Sequence, residues 1–397
     1  MRRPLDALRE GRYLLSESWQ YLSVLKGLEA EYRALGWLSA DDSAVVTPLI
    51  QLWHKVPKSE TGEGAAAAND APGPSQSELF GRQRGEIVWQ RLEKQLLRSI
   101  NRTWLPDRPI LLDGDWLEDA EAFDTVLANC RMAARRPLPV TGLDRPPDYA
   151  SVVARAVQAD AGGVVLRLTR NDFRTRTAGE LEAAIDAWAA SLGLSPSEVD
   201  VVLDLRVVQS LFRERDERFV ESMLGTLPHI GDWRNLALVG SGMPANAKSF
   251  QRNDITPFAR PEWWVWLALR QLANEFARLP IFGDYGVIHP DRVEAIGNPK
   301  INVRIPAVMY TSHDDCLMVR GKDLNRGWTV ADVGRLFRRL MDGPDWCDRD
   351  FSKGDAWIAD VESGQTETAG GWMSWKRAGQ CHHWTYVSRQ LANLLDS

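Results

Sequence analysis

Eight short apolar runs, separated by segments with helical spacing, constrain the fold of this chain more than any other feature. The runs lie at residues 21–26, 45–51, 108–113, 138–142, 163–169, 199–206, 235–241 and 280–290. Near-continuous apolar runs are expected of strands that are buried on both faces. Strands that alternate with helices require a parallel sheet with right-handed crossovers. Eight such units within 397 residues predict an α/β fold, a closed (β/α)8 TIM-like barrel.

An open, doubly wound parallel sheet is the alternative architecture for the same alternation. That fold commonly carries a Gly-x-Gly-x-x-Gly turn after a strand, or a phosphate loop that ends in Gly-Lys-Ser or Gly-Lys-Thr. Neither motif follows any of the eight runs. The main reason to prefer the open sheet is therefore missing.

The remaining segments are additions to one barrel domain that spans residues 21–397. They are an N-terminal extension (1–20), a low-complexity loop expected to be disordered (57–77), a β-hairpin insertion after the eighth strand (298–322) and a C-terminal segment (343–397). The hairpin is expected to turn at Ser312–Asp315. Thr329–Met341 is predicted to be the last barrel helix, and Gln380–Leu395 a terminal helix.

Composition excludes several classes of protein. The formal net charge of −6 and the pI of about 5.7 give no general electrostatic footprint for nucleic acid. No apolar run approaches the roughly 18 residues needed to span a bilayer, and the basic N-terminus lacks the apolar core of a secretory signal. We therefore expect a cytoplasmic protein without a membrane partner. Four cysteines without a C-x-x-C pair are expected to be reduced thiols.

The chemistry is expected at the carboxyl ends of the strands, where barrels of this type bind ligands. Three carboxylates, Asp113, Asp204 and Asp284, and two cations, Lys26 and Arg167, occupy such positions. Opposite charges in a partly dry cleft can bind an anion or perform acid–base chemistry. Ser241, Tyr285 and His289 lie at further strand ends and are expected to contact the ligand.

Other interpretations of these residues stay open. Arg167 and Asp204 are each flanked by leucines, so they could form a buried salt-bridge ring that only fixes strand register. The three aspartates could hold Mg²⁺ or Mn²⁺, although no His-x-His pair supports a metallohydrolase. Lys26 beside apolar neighbours could form a Schiff base.

Several segments, in their order along the chain, resemble the Beta protein family of phage-associated bacterial proteins. They are YLSVLKGLEAEYRAL from Tyr21, TPLIQL from Thr47, GDYGVIHP from Gly283, IPAVMYT followed by CLMVRG, and WKRAGQCHHWTYV from Trp375. The resemblance implies a barrel-like domain and a place in phage defence, sometimes beside a small nuclease-like protein. Residues that match the family are Lys26, Glu31, Asp284, Tyr285, Tyr310, His382 and His383, whereas Leu28, Gln51 and Met309 depart from it.

Two hypotheses of different classes follow. In the first, the barrel mouth binds an anionic or nucleotide-like ligand, and an extension of this hypothesis has it hydrolyse a phosphoester, with the three aspartates as acid, base or metal ligands. Glu31, Tyr310, His382 and His383 are then counted among the ligand-binding residues. In the second, the protein is a non-enzymatic sensor or scaffold whose barrel face or tryptophan-rich surface binds a phage component or a co-encoded effector. Fold alone does not decide between them.

Overall fold

The strands of the chain close into an eight-stranded parallel barrel. The computed structural model describes residues 19–53, 76–94, 108–117, 119–209, 213–291 and 304–395. In chain order the strands are β1 Tyr21–Leu25, β2 Val46–Gln51, β3 Pro109–Asp113, β4 Arg136–Thr141, β5 Val164–Thr169, β6 Val199–Val207, β7 Asn235–Ser241, β8 Asp254–Ala259, β9 Ile281–Asp284, β10 Ala307–Thr311 and β11 Asp315–Arg320.

The barrel contains β1 to β7 in sequence order, followed by β9, which pairs with both β7 and β1. Closure is visible in the register, since Leu22 lies opposite Gly283 and Gly240 lies opposite Asp284. All barrel pairs are parallel. The predicted closed barrel and each of its eight predicted strands are therefore confirmed.

Alternate residues of each strand form two separate layers of the core. Leu22 and Val24 of β1 belong to the cluster inside the barrel, together with Leu49, Val140 and Val202 from other strands. The intervening residues of the strands pack outward against the helices. This period of two decides which side chains enter the barrel mouth at the carboxyl ends of the strands.

Twelve helices are described outside the barrel strands, and polar or proline residues begin several of them. They are α1 Glu29–Leu35, α2 Ala40–Val45, α3 Gln76–Leu92, α4 Ala120–Met132, α5 Pro147–Asp160, α6 Arg170–Thr175, α7 Ala178–Leu192, α8 Arg213–Thr226, α9 Pro261–Gln271, α10 Val330–Met341, α11 Lys353–Glu362 and α12 Trp372–Leu395. Thr177 and Glu180 form a capping box at the start of α7, and Pro261 occupies the first turn of α9.

The hairpin insertion forms as predicted but gains a third strand. Strands β10 and β11 are antiparallel, and β8 pairs with β11 to make a three-stranded sheet of order β10-β11-β8. The sequence did not reveal β8, because its residues are half-buried or exposed and include Pro257. Such a strand lacks the continuous apolar run of the barrel strands.

The prediction of the last barrel helix is wrong. The predicted helix forms as α10, but its apolar residues Val333 and Phe337 pack in the core of the three-stranded sheet. The barrel is instead covered at β1 and β9 by the terminal helix α12, whose Trp384 and Val387 join the outer core. Both helices have local sequence signals, but the surface that each covers depends on contacts distant in the chain.

Two of the predictions fall largely outside the described residues. They are the N-terminal extension, of which only residues 19–20 are described, and the low-complexity loop, of which residues 76–77 begin α3. Among the helices that are described, none has both the length and the apolar character needed to cross a bilayer.

Candidate functional site at the barrel mouth

Four side chains form the floor of the barrel mouth. The guanidinium of Arg167 donates to Asp204 Oδ2 through Nε at 3.0 Å and Nη2 at 2.6 Å, and to Asp113 Oδ2 through Nη1 at 2.6 Å. Its Nη2 also donates to the hydroxyl of Tyr285 at 2.7 Å. We call Arg167, Asp113, Asp204 and Tyr285 the mouth floor. The sequence analysis expected all four residues at the carboxyl ends of strands, and the structure brings them into contact there.

The mouth floor pairs one guanidinium with two carboxylates, and each of its four side chains is hydrogen-bonded. Burial opposes the charge of Arg167, but Tyr285, Asp204 and Asp113 outweigh it and raise the pKa of the guanidinium. Burial raises the pKa of Tyr285 above its usual range, so the phenol stays protonated and donates to Asp204 Oδ2 at 2.7 Å. A buried carboxylate that is paired in this way is not poised to accept a proton from a ligand. The floor therefore matches the buried salt-bridge ring of the structural interpretation.

Two cations above the floor meet at one residue, Asp291. Lys26 Nζ donates to the backbone carbonyl oxygen of Asp291, and Arg206 Nη2 donates to its Oδ1 at 2.7 Å. The side chain of Arg206 is 40% exposed, whereas that of Arg167 in the floor is 5% exposed. The hydrogen bond from Arg206 holds the pKa of Asp291 below its usual value, so the carboxylate is charged at neutral pH. We call Lys26, Arg206 and Asp291 the rim.

Arg206 reaches the rim through a distorted backbone. Its φ is +54°, in the left-handed region, and the pairing of β6 with β7 shifts register between Asp204 and Val207. A residue other than glycine in this region costs roughly 1–2 kcal/mol. Its backbone N–H donates to Asp204 Oδ1 at 2.8 Å, which ties the bulge to the floor. Bulges of this kind redirect side chains next to functional sites.

The loop after β4 supplies a further cation to the mouth. Arg145 Nη2 lies 3.4 Å from Asp113 Oδ1, and the same side chain pairs with Asp115. Tyr149 lies below Arg145, with its ring centroid 5.4 Å from the guanidinium carbon. The Tyr149 hydroxyl accepts from Gly114 N at 3.1 Å, which fixes the loop after β3 beside the floor.

Gln51 adds an unsatisfied acceptor to the same end of the barrel. It ends β2 directly opposite Asp113 of β3 and is 3% exposed. Among the described residues its Oε1 has no hydrogen-bond partner. A buried amide oxygen in this state costs about 1–3 kcal/mol and would be satisfied by a ligand that donates a hydrogen bond.

Asp284 does not belong to the mouth, so the predicted convergence of three carboxylates is wrong. It faces outward from β9, because its neighbours Gly283 and Tyr285 face inward. Its Oδ1 accepts from the Tyr21 hydroxyl at 2.7 Å and from Gly286 N at 2.8 Å. His383 Nε2 lies 2.8 Å from Oδ2. Burial disfavours the charged form, but His383 and the hydrogen bonds keep the pKa of Asp284 below its usual value.

His382, His383 and Tyr310 also lie behind the barrel, away from the mouth. Burial lowers the pKa of His383, and the neutral ring accepts at Nδ1 from the Thr311 hydroxyl at 2.7 Å. His382 Nδ1 faces the Asp355 carboxylate at 3.0 Å, and its Nε2 faces the Thr311 carbonyl oxygen at 2.8 Å. The Tyr310 hydroxyl donates to Asp355 at 2.8 Å. We call Asp284, His383, Thr311, His382, Asp355 and Tyr310 the rear cluster.

Three other predicted residues have local structural contacts. Glu31 is buried, and its carboxylate accepts from the backbone N–H groups of Lys26 at 3.1 Å and Leu28 at 2.8 Å. Ser241 Oγ accepts from Met243 N at 3.1 Å and so stabilises the turn after β7. His289 Nδ1 accepts from Asp291 N at 3.1 Å, which orients the rim residue. His289 and Glu31 therefore each hydrogen-bond to the backbone of a rim residue, whereas Ser241 stabilises a turn.

The metal site considered for the three aspartates lacks its third ligand. Asp113 and Asp204 share Arg167, and Asp284 lies in the rear cluster. Within the described ranges, these aspartates do not form a group of three ligand atoms close enough to hold an ion. The residues present therefore do not fit a Mg²⁺ or Mn²⁺ site at the mouth floor.

A cavity of about 100 Å³ opens at the opposite end of the barrel, where the strands begin. Its lining includes Trp19, Arg136, Arg234 and Asn235. Arg234 forms a bidentate pair with Asp200, with both N···O distances at 2.7 Å. In barrels of this architecture, this end contributes to stability and the other end to ligand binding. We therefore place the candidate site at the mouth.

The comparisons with known proteins place the chain in a family. The model of the Beta protein family matches residues 21–389, which is nearly the whole chain. The chain belongs to the Beta protein family. The residues matched by the Beta protein model include the barrel, the three-stranded sheet and most of α12. No curated protein matches this Beta protein chain.

A solved structure also matches this member of the Beta protein family. It is a type I 3-dehydroquinate dehydratase from Clostridium difficile with covalently modified comenic acid, 10% identical, with a TM-score of 0.33. The match covers 68% of this chain and 88% of that chain. At this TM-score the likeness carries no argument about the site.

Sequence reasoning missed the three residues Asp291, Arg145 and Asp355. Asp291 and Arg145 lie in loops after strands, where no periodicity marks a functional position. Asp355 lies in the first turn of α11, and Ser352 caps that helix by accepting from Gly354 N at 3.0 Å and Asp355 N at 3.2 Å. The Ser-x-x-Asp spacing could have indicated a helix start there, but not the contact with His382.

Proposed function

We propose that the barrel binds a small anionic ligand, such as a phosphate-bearing metabolite or nucleotide, at its mouth. The observation that carries the proposal is the meeting of Lys26 and Arg206 on Asp291. Lys26 follows β1 and Arg206 belongs to β6, so two cations that are distant in the chain contact the same residue. Phosphate and carboxylate groups are the ligands that such pairs of cations recognise.

Asp291 supports the proposal because it occupies the position that an anion would take. Its carboxylate pairs with Arg206, and its backbone carbonyl oxygen accepts from Lys26. The pair with Arg206 is about half exposed on both sides, so it contributes at most about 1 kcal/mol. A ligand with two negative charges competes well with a contact of that strength.

The mouth floor and Gln51 would complete the binding site. The saturated floor gives a rigid base beneath the rim, and Oε1 of Gln51, which has no hydrogen-bond partner among the described residues, would accept from a ligand hydroxyl or amino group. Rigid supports of this kind hold a ligand in one orientation. The anion would be bound by the rim, and the polar part of the ligand by Gln51.

The proposal stops at binding and does not extend to phosphoester hydrolysis. Asp113 and Asp204 are both held by Arg167, and neither is free to act as general base. A barrel that binds a ligand without turning it over fits the sensor alternative. We propose further that this sensor acts in phage defence, as the family resemblance implies, through a co-encoded protein or a phage component.

Calorimetric titration with inorganic phosphate and adenosine monophosphate tests the binding site. We expect Arg206→Gln and Lys26→Gln each to weaken binding at least about tenfold, since a charged hydrogen bond contributes about 1.5–3 kcal/mol. Asp291→Asn is expected to tighten binding, because it removes the internal competitor. That gain separates a real site from general damage to the fold.

The control is Arg335→Gln, which removes an exposed arginine of α10 with a 72% exposed side chain. Its phosphate affinity should equal that of the unmodified protein. Equal affinities for the rim variants, the control and the unmodified protein would show that binding is not at the mouth.

A further inference from the structure

We infer that Glu182, Asp186 and His229 form a binding site for one divalent transition-metal ion, such as Zn²⁺. The site lies on helix α7 and on the loop between α8 and β7, and it shares no residue with the mouth floor or the rim. One ligand atom from each of the three side chains lies within 4.8 Å of the other two. Zinc ligands lie about 2.0–2.2 Å from the ion, so small rotations of exposed side chains would complete the site.

The helix brings the two carboxylates to the same face. Glu182 and Asp186 are four residues apart in α7, and residues at this spacing are neighbours on a helix surface. Like charges at this spacing repel each other. Among the described residues, neither carboxylate has an ion pair with lysine or arginine, and His229 is the basic group beside Asp186. A divalent cation would remove this repulsion.

His229 is held in position by its own loop. Its φ is +53°, in the left-handed region, and its carbonyl oxygen accepts from Asp232 N at 2.8 Å. The ring meets the buried Trp233 edge-on with centroids 5.8 Å apart, and Trp233 Nε1 donates to Pro228 O at 2.9 Å. His229 Nε2 thereby lies 2.8 Å from Asp186 Oδ1 without any ion.

The donor set indicates which metals fit. One imidazole nitrogen and two carboxylate oxygens suit Zn²⁺, Co²⁺, Ni²⁺ or Cu²⁺, whereas Mg²⁺ prefers oxygen ligands only. Water would complete the coordination. Bound metal would join α7 to the loop before β7 and so stabilise the fold.

Titration of the full chain without an affinity tag tests the site. We expect Zn²⁺ to bind with one equivalent, Co²⁺ to give visible d–d absorption, and Mg²⁺ not to compete. His229→Ala and Asp186→Asn should each weaken Zn²⁺ binding at least about tenfold. His313→Ala, which removes a histidine with a 79% exposed side chain on the distant hairpin, is the matched control and should bind as the unmodified protein does.

Glu182→Gln keeps the inference testable if another variant fails to fold. It removes the repulsion in α7, so the metal-free variant should melt at the same or a higher temperature. The rise in melting temperature that Zn²⁺ produces in the unmodified protein should disappear. An unchanged rise in this variant, or equal Zn²⁺ affinities for His229→Ala and the unmodified protein, would overturn the inference.

Discussion

The mouth of the barrel and the rear cluster are both built on carboxylates that contact basic side chains, but they differ in their access to solvent. Above the mouth floor, the rim residue Arg206 has a side chain that is 40% exposed. In the rear cluster, His382 and Asp355 are 0% exposed, and Asp284 is 1% exposed. A ligand can therefore reach the first region and has no route to the second among the described residues.

The direction in which a strand residue faces therefore matters as much as its position at the strand end. Asp284 and Tyr285 are adjacent in sequence, yet one accepts from His383 behind the barrel and the other from Arg167 inside it. The rear cluster fastens α12 to β9 and to β10 through buried hydrogen bonds. Its histidines thus have a structural role, whereas the mouth combines a structural floor with an accessible rim.

The largest effect is expected from removing the cation of the mouth floor. Arg167→Leu leaves Asp113 and Asp204 buried without their counter-ion, and the free energy of unfolding should fall by about 3–5 kcal/mol. Urea denaturation measures the loss. Adding Asp113→Asn and Asp204→Asn to that variant should recover part of the stability. A further loss in the triple variant would contradict the view that unpaired charge causes the effect.

A smaller, pH-dependent effect is expected of Glu262, a buried residue of α9. Glu262 Oε2 accepts a hydrogen bond of 2.7 Å from the backbone N–H of Gly242, which follows β7. Glu262 Oε1 lies 4.0 Å from Arg260 Nε. Burial raises the pKa of Glu262 to about 7 from 4.5, against the opposing effect of Arg260. Between these values the folded state keeps a proton that the unfolded state loses, so stability falls as pH rises.

Glu262→Gln should remove this part of the pH dependence. The stability difference between the variant and the unmodified protein should change by about 3 kcal/mol between pH 4.5 and pH 8. His383 acts in the opposite direction, because burial lowers its pKa from 6.5 and stability is lost as pH falls below that value. The comparison of the two proteins by urea denaturation at each pH cancels the His383 contribution. Parallel pH profiles would show that Glu262 does not titrate in this range.

The barrel could be predicted from sequence because its signal is local. Each buried strand has its own apolar run, and several helices have their own N-cap, as Thr177 shows for α7. β8 could not be predicted, because a half-exposed strand with Pro257 has neither signal. The packing of α12 against the barrel could not be predicted either, because Trp384 donates to Ser23, which is 361 residues away in the sequence.

The site could be predicted only in part, for a related reason. Arg167, Asp113 and Asp204 were found because they lie at or near the ends of long apolar runs, where the facing of residues is easily counted. Asp284 was misplaced because it was assigned to the mouth together with its neighbour Tyr285, although adjacent residues of a strand face opposite sides. A shift of one residue moves a side chain to the other face of a strand.

The smallest of these effects tests the separation of the two regions directly. Asp284→Asn removes the charge that accepts from Tyr21, Gly286 and His383, and we expect a loss of about 2 kcal/mol in the free energy of unfolding. Because Asp284 faces away from the mouth, phosphate affinity should not change. Urea denaturation measures the first quantity, and calorimetric titration at a temperature where the variant is folded measures the second. A folded variant that had lost phosphate binding would place Asp284 in the ligand site and would end the distinction between the mouth and the rear cluster.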